Sequence, residues 1–128
     1  MHIRLLLITD DPDMRSVFDP LLNLYDMVAT YADTLTRAQE LTATSAVNAV
    51  ILQAGFSGSL PGLHFLKWLR EQPQHQATPV AVVIRDDELQ DHEVAAAGTL
   101  GARVFRYPNQ FGAILEHVDA AIVGRRAA

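Results

Sequence analysis

The stretch Ile3-Arg4-Leu5-Leu6-Leu7-Ile8-Thr9-Asp10-Asp11-Pro12-Asp13-Met14-Arg15 decides the fold. A β-type apolar run ends in an acidic turn, and Asp11 followed by Pro12 is a helix start. The aspartate offers a cap oxygen, and proline suits the first helical position, where its missing N–H breaks no bond. Met14, Val17, Phe18, Leu21, Leu22 and Tyr25 then recur at three and four residues, which lays one apolar face along a helix. Pro20 falls inside that helix and is predicted to kink or split it.

The same alternation continues along the chain. Met27 to Tyr31 reads as a short second strand, and Asp33 as the cap of a second helix running through about Thr42. Asn48 to Gln53 is a buried third strand ending in a polar residue. A Gly/Ser-containing loop from Ala54 to Leu60 leads to a helix over Pro61 to Glu71, with Leu63, Leu66 and Leu69 facing inward. Val80 to Ile84 is the fourth strand, Asp87 to Ala97 the fourth helix, and Ala102 to Arg106 the fifth strand. Asp86-Asp87-Glu88 reads as a capping cluster at that fourth helix. Gln110 to Val123 closes the pattern, with Phe111, Ile114, Leu115, Val118, Ala121 and Ile122 in helical register. Five βα units with short connections predict one doubly wound α/β domain over residues 1–128, with a five-stranded parallel sheet whose carboxyl ends carry the site.

Composition narrows the chemistry. With no cysteine, disulfides, thiolate metal sites and cysteine nucleophiles are excluded. The net charge of −5 argues against nucleic acid as the main partner, because phosphate binding needs a basic face. No stretch is long enough to span a bilayer and no signal-peptide pattern precedes the first strand, so a cytoplasmic location is expected. Nine of the ten cations are arginine, leaving Lys67 as the only lysine.

In this order and spacing, Ile8-Thr9-Asp10-Asp11-Pro12-Asp13-Met14-Arg15, Val50-Ile51-Leu52-Gln53, Thr78-Pro79-Val80-Ala81-Val82-Val83, Ala97-Gly98, Gly101-Ala102 and Tyr107-Pro108 resemble the receiver domain of bacterial response regulators. The resemblance covers essentially the whole chain and implies a CheY-like, flavodoxin-like (βα)5 fold. It also implies five chemical positions: two acidic residues after the first strand, a phospho-accepting aspartate after the third, a Ser/Thr after the fourth, and a lysine before a proline after the fifth. Anchored on Pro12-Asp13-Met14-Arg15, the acidic pair falls on Thr9 and Asp10; shifted by one residue it falls on Asp10 and Asp11. The acceptor position falls on Gln53, the hydroxyl position on Ile84, and the lysine position on Tyr107, ahead of Pro108.

Each replacement removes a function. An amide is not the carboxylate nucleophile that accepts a phosphoryl group. Magnesium takes several hard oxygens, commonly two carboxylates at such a site, and Asp10 would stand with one amide and one hydroxyl, so no metal or other cofactor is expected. Ile84 cannot hydrogen-bond a phosphoryl group, and Lys67 lies in the third helix. Arg85 is a candidate charge partner for Asp10. Tyr107 is read as filling the pocket beside Gln53, or as a partner-binding aromatic.

Asp91, Glu93, Arg103, Arg106, Glu116 and Asp119 lie on or near the fourth helix, fifth strand and fifth helix, the face through which the receivers this chain resembles commonly form homodimers. They are the candidate surface for a homodimer or another protein partner. The five histidines lack metal-ligand spacing, although His92 and His117 would approach each other across neighbouring helices. Trp68 with Phe65 would make an exposed aromatic patch if the inward stripe is Leu63, Leu66 and Leu69.

The resulting expectation is a pseudo-receiver: a non-enzymatic signalling domain that works through protein contacts without phosphorylation. The chain is either a stand-alone adaptor or the receiver part of a longer regulator. One alternative is a flavodoxin-like small-molecule-binding or enzymatic domain. Against it, the acidic turn Thr9-Asp10-Asp11-Pro12 lacks the glycines of a phosphate loop. A further alternative, a phospho-accepting receiver with unusual chemistry, requires a different register at several strand ends.

Overall fold

The first strand, β1 (Ile3–Ile8), lies between β2 (Met27–Ala32) and β3 (Ala49–Gln53), and β4 (Val80–Arg85) and β5 (Arg103–Tyr107) continue the sheet beyond β3. All four pairings are parallel, in the order β2-β1-β3-β4-β5. The computed structural model describes residues 3–54, 62–85, 91–107 and 110–127, and their side chains except at positions 85, 91–94, 107, 111 and 123–127. Five helices cover the sheet: α1 (Pro12–Leu22), α2 (Leu35–Thr44), α3 (Gly62–Glu71), α4 (Asp91–Thr99) and α5 (Phe111–Ala127). This is the flavodoxin-like (βα)5 architecture.

Strand positions buried on both faces need apolar residues in succession, which is why residues 5–8 of β1 and 49–52 of β3 read as unbroken runs rather than alternating ones. Leu6, Ile8, Val50, Leu52, Val82 and Ile84 face α2, α3 and α4, where Ala38, Leu41, Phe65, Leu66, Leu69 and Ala97 meet them. Leu5, Leu7, Ile51, Val83 and Phe105 face α1 and α5, against Met14, Phe18, Leu22, Ile114, Leu115, Val118 and Ile122. Each large apolar side chain removed from water in these layers contributes roughly 1.5–3 kcal/mol. Among the described residues, no helix is long and apolar enough to cross a membrane.

Three local expectations are corrected. α1 is not split at Pro20: it runs to Leu22 and passes into a 3-10 turn at Asn23–Tyr25. The proline stands near the helix end, and buried Phe18 and Leu22 hold the last turn to the sheet. α2 is capped by Thr34, whose hydroxyl accepts from Arg37 N at 3.1 Å, not by Asp33. On α3 the buried set is Gly62, Phe65, Leu66 and Leu69, while Leu63 is only partly buried. The helix is therefore rotated from the leucine-only stripe, and Phe65 is 2% exposed instead of forming a surface patch. α4 is described from Asp91, so the acidic cluster at residues 86–88 lies outside the described residues.

Arg70 fastens the amino-end side of the sheet. Its guanidinium donates to the carbonyls of Leu100 (2.7 Å), His75 (2.8 Å), Thr78 (2.7 Å) and Gly101 (3.3 Å), joining α3 to the turns that lead into β4 and β5. Gly101 adopts φ 78°, a left-handed conformation that glycine takes without strain.

His75 is buried beside this cation, with Nδ1 2.9 Å from Thr78 Oγ1. Burial first, then the Arg70 charge, holds the imidazole below its ordinary pKa of 6.5. His117 shifts the same way, through burial and then Arg103. On acidification the unfolded chain takes up these protons before the folded one does. Their contribution to stability is thus complete above pH 6.5 and declines as the pH falls below it. Urea unfolding midpoints are expected to drop from about pH 7.5 to about pH 5.5, with His75→Asn flattening part of the drop. A slope unchanged by that substitution would contradict the assignment.

Candidate functional site

β1 and β3 are paired neighbours, with Ile8 opposite Leu52, so the residues just after β1 meet the last residue of β3. Thr9 is buried and extends the ladder through its N–H to Ala32 O at 2.9 Å. Its hydroxyl accepts from Asp11 N at 3.0 Å and donates to Gln53 Oε1. The other end of the same amide, Gln53 Nε2, donates to Asp10 Oδ1 at 2.7 Å. Asp11 turns to the helix, where its Oδ1 accepts from Asp13 N at 2.9 Å. A chain of directed hydrogen bonds therefore crosses from the start of α1, through Thr9 and Gln53, to Asp10.

The physical reason lies in the amide. Gln53 is 8% exposed, and a buried carboxamide needs an acceptor for its N–H and a donor for its oxygen. Asp10 and Thr9 supply one each. Thr9 and Asp10 are thus the pair that meets Gln53, while Asp11 serves as helix cap.

α3 presses directly on this strand end. Gly62 N donates to Ala54 O at 3.0 Å, and a Cβ added at Gly62 would lie 2.6 Å from Gln53 O and 2.9 Å from Ala54 Cα. Backbone cannot yield as a side-chain tip can, so Gly62→Ala is expected to cost about 2 kcal/mol by overpacking. Amide shifts should spread to Gln53 and Thr9. Unchanged stability in chemical denaturation would show that α3 docks less closely.

The Thr9, Asp10 and Gln53 side chains are engaged with one another. One Gln53 N–H points at an Asp10 carboxylate oxygen, and the Thr9 hydroxyl donates to the amide oxygen. Among the described residues, no three His, Asp or Glu side chains gather as a ligand set. Ile84, at the position that would hold a hydroxyl, is fully buried in the apolar layer facing α3.

Arg85 and Tyr107 are paired in the register of β4 and β5. Their side chains, and Pro108, lie outside what is described, so the expected contacts of Arg85 with Asp10 and of Tyr107 with the pocket lie there too. The contact Asp10 does make is with Gln53, a partner that sequence reading missed. Its signal was available: a glutamine ending a buried strand beside Thr-Asp must find partners for both ends of its amide.

The two arginines of β5 stand on opposite faces of this edge strand. Arg103 stacks on Phe105 at 5.5 Å, and Phe105 packs at 5.5 Å from His117, on the α1 and α5 side of the sheet. Arg106, three residues on, has the opposite strand parity and is exposed toward the α4 side. Glu116 is exposed and Asp119 half-buried on α5, while the side chains of Asp91, Glu93 and His92 lie outside the described ones. Trp68 is half-buried against Phe65, with ring centroids 5.6 Å apart. With Leu63, Lys67, Ala96 and Leu100 it lines a shallow groove of about 460 Å³ between α3 and α4.

No family model matches the sequence, and no curated protein matches it. Solved structures do. A response regulator receiver protein from Sinorhizobium medicae superimposes with a TM-score of 0.80 at 17% identity, covering 97% of each chain. The signal receiver domain of a histidine kinase from Syntrophus aciditrophicus gives 0.81 at 16%, covering 98% of this chain and 93% of that one. A receiver protein from Pseudomonas putida gives 0.80 at 20%, covering 94% and 98%. At these identities the likeness speaks for architecture. The chain has the fold of response-regulator receiver domains.

Proposed function

We propose that this chain is a pseudo-receiver, a signalling domain that works through protein contacts and neither accepts a phosphoryl group nor binds magnesium. The observation that carries the reading is the Gln53 amide joined to both Thr9 and Asp10. A phospho-receiver needs a carboxylate nucleophile there and a cation beside it. Here an uncharged amide holds the two strand ends together by hydrogen bonds that require no input. Such a domain rests in one arrangement, and a partner shifts it only by binding another arrangement better.

Its contact surface is proposed on α4, β5 and α5, through Asp91, Glu93, Arg103, Arg106, Glu116 and Asp119, with a second copy or another protein as partner. The domain is proposed to act as a unit, in the cytoplasm, without enzymatic activity.

The test is intact-mass spectrometry after incubation with acetyl phosphate and magnesium, beside a conventional receiver as positive control. No phosphate adduct is expected on this chain. A stoichiometric, acid-stable but base-labile adduct would overturn the reading.

A further inference from the structure

β2 is an edge strand, and α2 covers only part of it. Ala32, at its carboxyl end, is buried in the layer under α2, whereas Val28 is 51% exposed and Thr30 is exposed on the same strand parity. α2 ends at Thr44, and the turn through Ser45 and Val47 leads back to β3 without closing over them. A cleft of about 350 Å³ remains, lined by Arg4, Val28, Thr30, Leu41, Ser45 and Val47 among others.

Three features of this cleft have no use in the fold. A branched apolar side chain on a strand is left half in water, where covering it would be favourable. The Arg4 guanidinium pairs with no carboxylate among the described residues, although the chain carries a net charge of −5. Two hydroxyls, Thr30 and Ser45, stand on the same rim. An apolar wall with a few polar groups at one end is the usual construction of a small-molecule site, and the volume lies in the lower part of the range for one.

We propose that this cleft binds a small organic carboxylate with an apolar body. The carboxylate pairs with Arg4 as a bidentate acceptor and takes hydrogen bonds from the Thr30 or Ser45 hydroxyl. The apolar body covers Val28, Leu41 and Val47. Arg4 is the second residue of β1, so the site lies toward the amino ends of the strands, at the opposite end from Gln53. It does not depend on whether the strand-end network accepts phosphate. Among the described residues that line the cleft none is acidic, so nothing there repels a carboxylate, and a phosphate alone would leave the apolar wall exposed.

The experiment is a titration of the full chain, followed by two-dimensional amide NMR, with sodium octanoate as probe. Octanol at matched concentration reports the apolar term alone, and acetate the charge alone. Octanoate is expected to saturate with a Kd of about 0.1–1 mM, as its size allows. Shifts should concentrate at Arg4, Val28, Thr30, Ser45 and Val47, with acetate and octanol at least about tenfold weaker. Arg4→Gln, with its spectrum otherwise unchanged, should weaken octanoate about tenfold, and Val28→Ser should weaken octanoate and octanol alike. Octanoate that fails to saturate, or binds equally to Arg4→Gln, would overturn the proposal. Shifts that follow protein concentration alone would also overturn it, because a second copy then covers the cleft.

Discussion

Gln53→Glu is expected to destabilise the fold at neutral pH by about 3 kcal/mol, through loss of one hydrogen bond and the approach of two carboxylates. The substitution is nearly isosteric, so packing changes little and the electrostatic effect stands out. Gln53 Nε2 now lies 2.7 Å from Asp10 Oδ1, and the new carboxylate oxygen takes its place. Two unit charges about 4 Å apart repel by about 4 kcal/mol at an effective dielectric of 20. The exposure of Asp10 to solvent reduces that figure. The introduced carboxyl should keep its proton to higher pH than an isolated glutamate, so the loss shrinks as the pH is lowered. Magnesium should restore stability to this variant alone, since two carboxylates and the Thr9 hydroxyl then offer the oxygens a divalent cation takes. Chemical denaturation with and without magnesium measures both effects. A variant as stable as the parent and indifferent to magnesium would show that Gln53 and Asp10 are not in contact.

Arg70→Ala should cost more, about 4 kcal/mol, because a charge-assisted hydrogen bond contributes about 1.5–3 kcal/mol and several are lost at once. Four carbonyls, of His75, Thr78, Leu100 and Gly101, lose their donor together. Some of them regain water at the surface, which keeps the total below the sum. Since domains of this size are stable by only about 5–15 kcal/mol, the melting temperature should fall by roughly 10 °C or more. Arg70→Lys should recover little, because one ammonium cannot span acceptors that a planar fork reaches. Loss of less than about 1 kcal/mol would mean that the clamp is not made in solution. Because the clamp lies at the amino ends of β4 and β5, the variant should leave the Thr9–Gln53–Asp10 contacts intact where it folds.

Much of the architecture is legible in the chain because parallel strands buried on both faces must be apolar throughout, and the helices between them must be amphipathic. Residues 5–8 and 49–52 announce themselves in this way, and so does the Ile114, Leu115, Val118, Ile122 face of α5. What hid was whatever depended on a neighbour distant in sequence. The inward face of α3 begins at Gly62, a residue that periodicity does not count, so the apolar spacing alone points to Leu63 and leaves Phe65 outside. Gly62 is inside because α3 touches the backbone of Gln53 and Ala54. Asp33 and Thr34 are both capable caps, and the choice fell to the residue whose extended backbone turns its oxygen toward Arg37 N. Arg70 carries no local mark at all, since its acceptors appear only when α3 meets the turns that lead into β4 and β5.

The candidate site was legible as a set of replacements and not as a structure. Gln53 and Ile84 could be placed at the strand ends from their spacing. That the glutamine amide would itself join Asp10 to Thr9 follows only once β1 and β3 are neighbours with those three side chains at one edge.

The most direct measurement is a two-dimensional amide spectrum of the isotope-labelled chain with magnesium and beryllium fluoride, a phosphoryl mimic that requires a carboxylate acceptor. Unchanged shifts at Thr9, Asp10, Gln53 and Ile84, up to concentrations that saturate a conventional receiver, are the predicted result. Saturable shifts gathered at those strand ends would contradict the account, because they would reveal an acceptor and an ion site that the Gln53 amide is held to replace.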